Sequence, residues 1–85
     1  MDYTPHGSSI TMFTTEWCGY CARLKKQLDG AGIAYDEIDI ERVAGTAEFV
    51  ASVNDGNQTV PTVVFPDGST ATNPSLFEVR ERLAS

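Results

Sequence analysis

The chain has 85 residues, 41% hydrophobic and 21% charged, a balance that supports one small globular domain and excludes a disordered chain. Twelve acidic residues against six basic ones leave a net charge of −6, which disfavours a general affinity for nucleic acid or an anionic membrane. No apolar run is long enough to cross a bilayer, and the polar start MDYTPHGSS lacks the hydrophobic segment of a secretory signal, so a cytoplasmic protein is expected.

Residues 1–8 read as a flexible tail, because Pro5, Gly7 and Ser8 weaken regular structure. The lone histidine, His6, falls in this tail and reads as a solvated residue before a ligand or a base. A single domain is expected over residues 9–85. Ile10 to Thr14 (ITMFT) is rich in β-branched and large apolar residues and predicts a buried strand. WCGY follows as a turn. From Cys21 to about Gly30 the period changes: Leu24 and Leu28 share a helical face, and Gly30 and Gly32 end the helix. Ala34 to Ile40 predicts a second strand with imperfect alternation. Val43 to Val53 predicts a second helix, with Val43, Ala47 and Val50 on one face.

Asn54 to Gln58 is a loop by composition. Thr59 to Phe65 opens with an X-Pro step and becomes a strand. Pro66 to Gly68 is a hairpin turn in which Pro presets one φ and Gly accepts a positive one. Ser69 to Thr72 pairs back as a short edge strand. Asn73 suits the N-cap of the last helix and Pro74 its first turn, with Leu76, Val79 and Leu83 as the buried face. The order is an α/β pattern: a βαβ unit with parallel strands, then a hairpin and a helix.

The chemistry is concentrated in TTEWCGYCARLKK, Thr14 to Lys26, which holds both cysteines of the chain. A closed zinc site needs about four ligands, more than Cys18, Cys21 and a tail histidine supply, so no metal is expected. A permanent disulfide across so short a loop closes little chain and stabilises little. The third possibility is redox cycling. Cys18 lies where strand becomes helix and faces unpaired N–H groups and the positive end of the dipole, both of which favour the attacking thiolate. Cys21 lies one turn further in, on nearly the same side and more enclosed. The pattern pairs an exposed nucleophile with a recessed resolving thiol. Gly19 between them allows a tight turn and removes a side chain beside the nucleophile.

Taken together, WCGYC, the later TVPT and the DGSTATNPS that follows resemble the thioredoxin superfamily, and within it the small glutaredoxin branch. Four segments, WCGYCARLK, AYDEIDI, VNDGNQTVPTV and DGS…TNPS, resemble in order and spacing the mycoredoxins, glutaredoxin-like proteins of actinobacteria that use mycothiol. The likeness covers nearly all of the chain after Ser8. It implies the thioredoxin/glutaredoxin fold: a four-stranded mixed sheet (βαβ then ββα) with three helices, on both faces. It implies that Cys18 is the nucleophile and Cys21 its partner, and that Pro61 is cis and faces them, leaving the Val60 backbone free to pair with substrate.

Glutathione-using relatives commonly carry a basic residue ahead of the first cysteine, and a glycine pair and an aspartate before the last helix. Here Glu16 precedes Trp17-Cys18, and Thr72 to Ser75 (TNPS) stands at the second place. A carboxylate at Glu16 would repel an anionic glutathione arm. Mycothiol is neutral and rich in hydroxyls, so Thr59, Asn73 and Ser75 suit it, with Tyr20 lining the groove and Trp17 shielding the site or meeting a protein substrate. Glu16 also reads as a solvated acid, Asn73 as a simple cap, and Arg23, Lys25 and Lys26 as a solvated helix face.

The expected function is reduction of mixed disulfides between mycothiol and client proteins, in a monomer without bound cofactor. Mycothiol is the co-substrate, and an NADPH-dependent mycothiol disulfide reductase completes the cycle through mycothiol. The competing expectations are a redoxin that feeds ribonucleotide reductase from thioredoxin reductase, and an iron–sulfur carrier that bridges a cluster between two subunits.

Overall fold

A computed structural model describes residues 3–84. In chain order the elements are β1 (Ile10–Thr14), α1 (Gly19–Ala31), β2 (Tyr35–Asp39), α2 (Thr46–Ser52), β3 (Thr62–Val64), β4 (Thr70–Thr72) and α3 (Leu76–Ala84). The four strands form one sheet in the order β2-β1-β3-β4, with β1 parallel to β2 and the other neighbours antiparallel. This is the mixed sheet that the βαβ and ββα halves require.

Strand β1 is buried along its whole length because helices cover both faces of the sheet. Ile10 and Met12 point into one core with Leu24 and Leu28 of α1, Val63 and Phe65 around β3, and Val79 of α3. Phe13 points the other way and packs with Ile40, Val64 and Val50 of α2. One residue of alternation therefore separates two cores.

Helix α1 buries Cys21, Leu24 and Leu28, which recur at the helical period. It stops at Gly32, whose positive φ of 70° lets its N–H reach the Asp29 carbonyl, whereas Gly30 stays inside the helix. Helix α2 is shorter than Val43 to Val53. Gly45 takes a φ of 84° at its start, and the Val43 carbonyl accepts the Thr46 hydroxyl at 2.6 Å. Val43 and Val53 are exposed, so the apolar spacing overstated the helix at both ends. The turn after β3 is as expected: Gly68, with φ 86°, donates its N–H to the Phe65 carbonyl at 2.9 Å.

Two further expectations need correction. Asn73 is not the cap of the last helix. It sits in the left-handed region at φ 47°, and Ser75 takes the role: its hydroxyl accepts the Glu78 N–H at 3.0 Å, three residues on. Within the segment read as a flexible tail, Tyr3 and Thr4 are half-buried and Pro5 is buried, while His6, Gly7 and Ser8 are exposed. The Tyr3 ring lies 5.1 Å from Phe13 and 4.7 Å from Phe49, and its carbonyl accepts the Thr11 hydroxyl at 2.7 Å. One aromatic ring fitted beside two others outweighs the breaking tendency of Pro5 and Gly7. Met1, Asp2 and Ser85 lie outside the described residues.

Candidate active site

Strand β1 ends at Thr14, and four residues later Cys18 caps the N-terminus of α1. Its backbone is extended, and its sulfur accepts the N–H of Cys21 at 3.1 Å. A thiol here replaces the usual hydroxyl or carboxylate cap, so an orphan helix donor is aimed at sulfur. On its other side the Cys18 thiol donates to the Val60 carbonyl, with S and O 3.7 Å apart. Pro61, buried, follows through a cis peptide bond. Cys18 and Val60 thus meet across a sequence separation that no local pattern shows, with Pro61 next in the chain.

The expected contrast between the two sulfurs is one of degree. Cys18 is 7% exposed and Cys21 1%, and both are unpaired thiols. Burial pushes the Cys21 thiol up to about 12, helped by its hydrogen bond with Cys18, and opposed by a backbone hydrogen bond from Thr15 and the charge of Lys25. Cys21 is therefore held as a neutral thiol at rest. The Thr15 hydroxyl beside it is buried with no protein partner among the described residues.

Around the sulfurs the surface is aromatic. Trp17 and Tyr20 are 73% and 62% exposed. The Trp17 ring N–H donates to Glu41 at 3.2 Å, so its indole leans on the loop after β2. Tyr20 lines a groove of about 200 Å³ with Arg23, Leu24 and Gln27 of α1 and the segment Asn73 to Leu76. A larger open cavity of about 560 Å³, lined by His6, Gly32, Ile33, Arg80 and Leu83 among others, lies at the other end of β1 and includes neither cysteine.

The model of the family Glutaredoxin matches residues 10–69, from the start of β1 to the hairpin after β3. The chain belongs to the glutaredoxin family. Its relatives include a candidate glutaredoxin of Mycobacterium tuberculosis, 60% identical over 76 residues that cover 89% of this chain and 90% of that protein. They also include Mycoredoxin 1 of Corynebacterium glutamicum, 50% identical over 72 residues, covering 85% of this chain and 89% of that protein. The crystal structure of a glutaredoxin from Methanosarcina mazei shares the fold, with a TM-score of 0.75 at 24% identity over 91% of this chain and 79% of the other. This glutaredoxin is a thiol–disulfide oxidoreductase of mycoredoxin-like sequence, built on the thioredoxin fold.

The remaining residues singled out in the sequence fall into two sets. Val60, Pro61 and Gly19 adjoin the sulfurs, and Tyr20, Asn73 and Ser75 line the groove beside them. Gly19 is the first residue of α1, and a Cβ there would meet nothing within 4 Å. It lacks the positive φ that a tight turn would require. Thr59 is exposed, and its carbonyl accepts the Thr62 hydroxyl at 2.7 Å. Val60 differs from expectation, since its carbonyl already holds the Cys18 thiol.

Glu16 is ion-paired with Arg42, which also reaches Asp39 at 3.5 Å, so its charge is partly balanced. Gln27 escaped the sequence reading. The signal for it was its spacing of seven from Tyr20, two helical turns along the same face.

Proposed function

We propose that this glutaredoxin reduces mixed disulfides between mycothiol and client proteins, with Cys18 as nucleophile and Cys21 as second thiol. The observation that carries the reading is the cradle of Cys18: a backbone N–H on one side of its sulfur, a carbonyl on the other, and a mostly neutral groove alongside. The N–H holds the sulfur at the start of α1, and the groove offers amide and hydroxyl groups from Gln27, Asn73, Ser75 and Tyr20, with Arg23 as its single charge. Such a lining suits a neutral, hydroxyl-rich thiol better than a ligand with two carboxylates. The pairing of Glu16 with Arg42 weakens repulsion as the reason and leaves groove chemistry as the stronger one.

In the first step the Cys18 thiolate attacks the mycothiol sulfur of the mixed disulfide. The Cys18–mycothiol bond forms, the old sulfur–sulfur bond breaks, and the client leaves as a thiolate. When the thiol becomes a thiolate, its bond to the Val60 carbonyl is lost, and that carbonyl is released for a client backbone N–H. A second mycothiol then attacks its partner on Cys18 and leaves as mycothiol disulfide, which an NADPH-dependent reductase returns to thiol. No bound cofactor enters, because sulfur exchange supplies the chemistry. We place the protein in the cytoplasm as a monomer. Among the described residues no helix is long and apolar enough to cross a membrane.

The test is turnover of a Cys21→Ser variant on one client disulfide, once with mycothiol and once with glutathione, each with its own reductase. Efficient turnover with mycothiol alone is expected. Loss of both, while the wild type still accepts electrons from thioredoxin reductase, refutes the assignment.

A further inference from the structure

Along α1, Cys21, Lys25 and Asp29 recur every four residues and so share one edge of the helix. That edge faces the polar side of β2. The Lys25 ammonium lies 3.0 Å from Glu37, the Thr14 hydroxyl donates to the same Glu37 oxygen at 2.8 Å, and the Tyr35 hydroxyl donates to Asp29 at 3.1 Å. Alternation accounts for the meeting: Thr14 on β1, and Tyr35 and Glu37 on β2, all point to the face that α1 covers. Thr14 is 1% exposed, so its hydroxyl is a fixed anchor. Arg23 and Lys26 on the same helix are exposed and have no such hold among the described residues.

We propose that Lys25, held in place by Glu37 and Thr14, is a positioning residue for the second thiol, and that its ammonium stabilises the Cys21 thiolate which displaces a thiol from Cys18. The step concerned rests on the reading of Cys21 given above. The Cys21 thiolate attacks Cys18 in its mixed disulfide. The Cys18–Cys21 bond forms, the bond to the outer sulfur breaks, and that sulfur leaves with the electron pair and takes up a proton from solvent. One disulfide replaces another, so no oxidant is needed.

A neutral buried thiol is a poor nucleophile, and its proton must leave before it attacks. The charged or titratable groups that act on it are Cys18 and Lys25, and Lys25 is the cation among them. Lys25 is held above its ordinary value by the hydrogen bond it donates to Glu37, with Tyr35 and Cys21 adding to the effect, so it stays charged. Burial raises Glu37, but the hydrogen bonds from Lys25 and Thr14 outweigh it and keep the carboxylate ionised. The pair is thus a preset dipole beside Cys21.

The experiment follows formation of the Cys18–Cys21 disulfide after rapid mixing of the reduced protein with bis(2-hydroxyethyl) disulfide, a neutral probe that needs no mycothiol groove. Wild type, Lys25→Met and Lys25→Arg are compared across pH. Loss of the positive charge one helical turn away raises the Cys21 thiol. The thiolate population then falls, and its higher intrinsic nucleophilicity recovers only part of the loss, so closure should slow several-fold near neutral pH. Its pH profile should shift upward, Lys25→Arg should restore both, and the first capture by Cys18 should be unchanged.

An unchanged closure rate and profile in Lys25→Met overturns the inference, as does an equal slowing of capture and closure. If the wild type forms no internal disulfide at all, the assignment of Cys21 as second thiol falls first, and the role of Lys25 with it.

Discussion

The Cys21 thiol makes a sharp statement about alkaline stability. It is 1% exposed, and burial lifts it from an ordinary 9.0 to about 12. A group whose folded value is raised contributes stability that is fully present below the unfolded value and is lost as pH rises towards the folded one. The window is therefore pH 9 to 12. At pH 10 the unfolded chain has mostly released this proton while the folded chain keeps it, which costs about 1 kcal/mol relative to pH 7. The assay is urea unfolding at both pH values under excess reductant, for wild type and Cys21→Ala. Other alkaline groups titrate in both proteins and cancel in the difference. The wild type should lose about 1 kcal/mol more than the variant between the two pH values. Equal losses would show that the thiol ionises as easily in the fold as outside it, and the account of Cys21 as a neutral resting thiol would be wrong.

Leu28 is fully buried in the core between α1 and the sheet, and Leu28→Ala should cost about 2–5 kcal/mol in chemical denaturation at neutral pH. Tyr3→Ala should cost about 1–3 kcal/mol in the same measurement, because it removes a ring that touches both Phe13 and Phe49. No change there would mean that the N-terminal segment is loose after all.

Much of this molecule is legible in its amino-acid order, and the reasons differ by residue. Cys18 and Cys21 declare themselves because their chemistry depends on a short spacing at a strand-to-helix junction, and spacing is local information. The alternation in Ile10 to Thr14 likewise carries the division of the core into two. Pairs across the fold are another matter. Nothing in the chain links Lys25 to Glu37, or Glu16 to Arg42, until β2 is laid beside β1. The Val60 carbonyl reads as free in the sequence because its partner lies 42 residues away. Helix ends are ambiguous for a simpler reason. Asn73 and Ser75 are both good caps, and only the backbone, with Asn73 left-handed, decides between them. Tyr3 shows that composition misjudges a segment when a single side chain finds a well-fitted place.

Trp17 carries a last consequence. It is the only tryptophan of the chain, it adjoins the reactive sulfur, and it stands largely in water, tethered through its ring N–H to Glu41. The protein thus holds one indole fluorophore, next to the cysteine pair. In the proposed cycle each change at Cys18, from thiol to adduct to internal disulfide, would occur within sight of that indole, and no second tryptophan dilutes the signal. Its emission can be followed in time without a label, which turns each exchange step into an optical event.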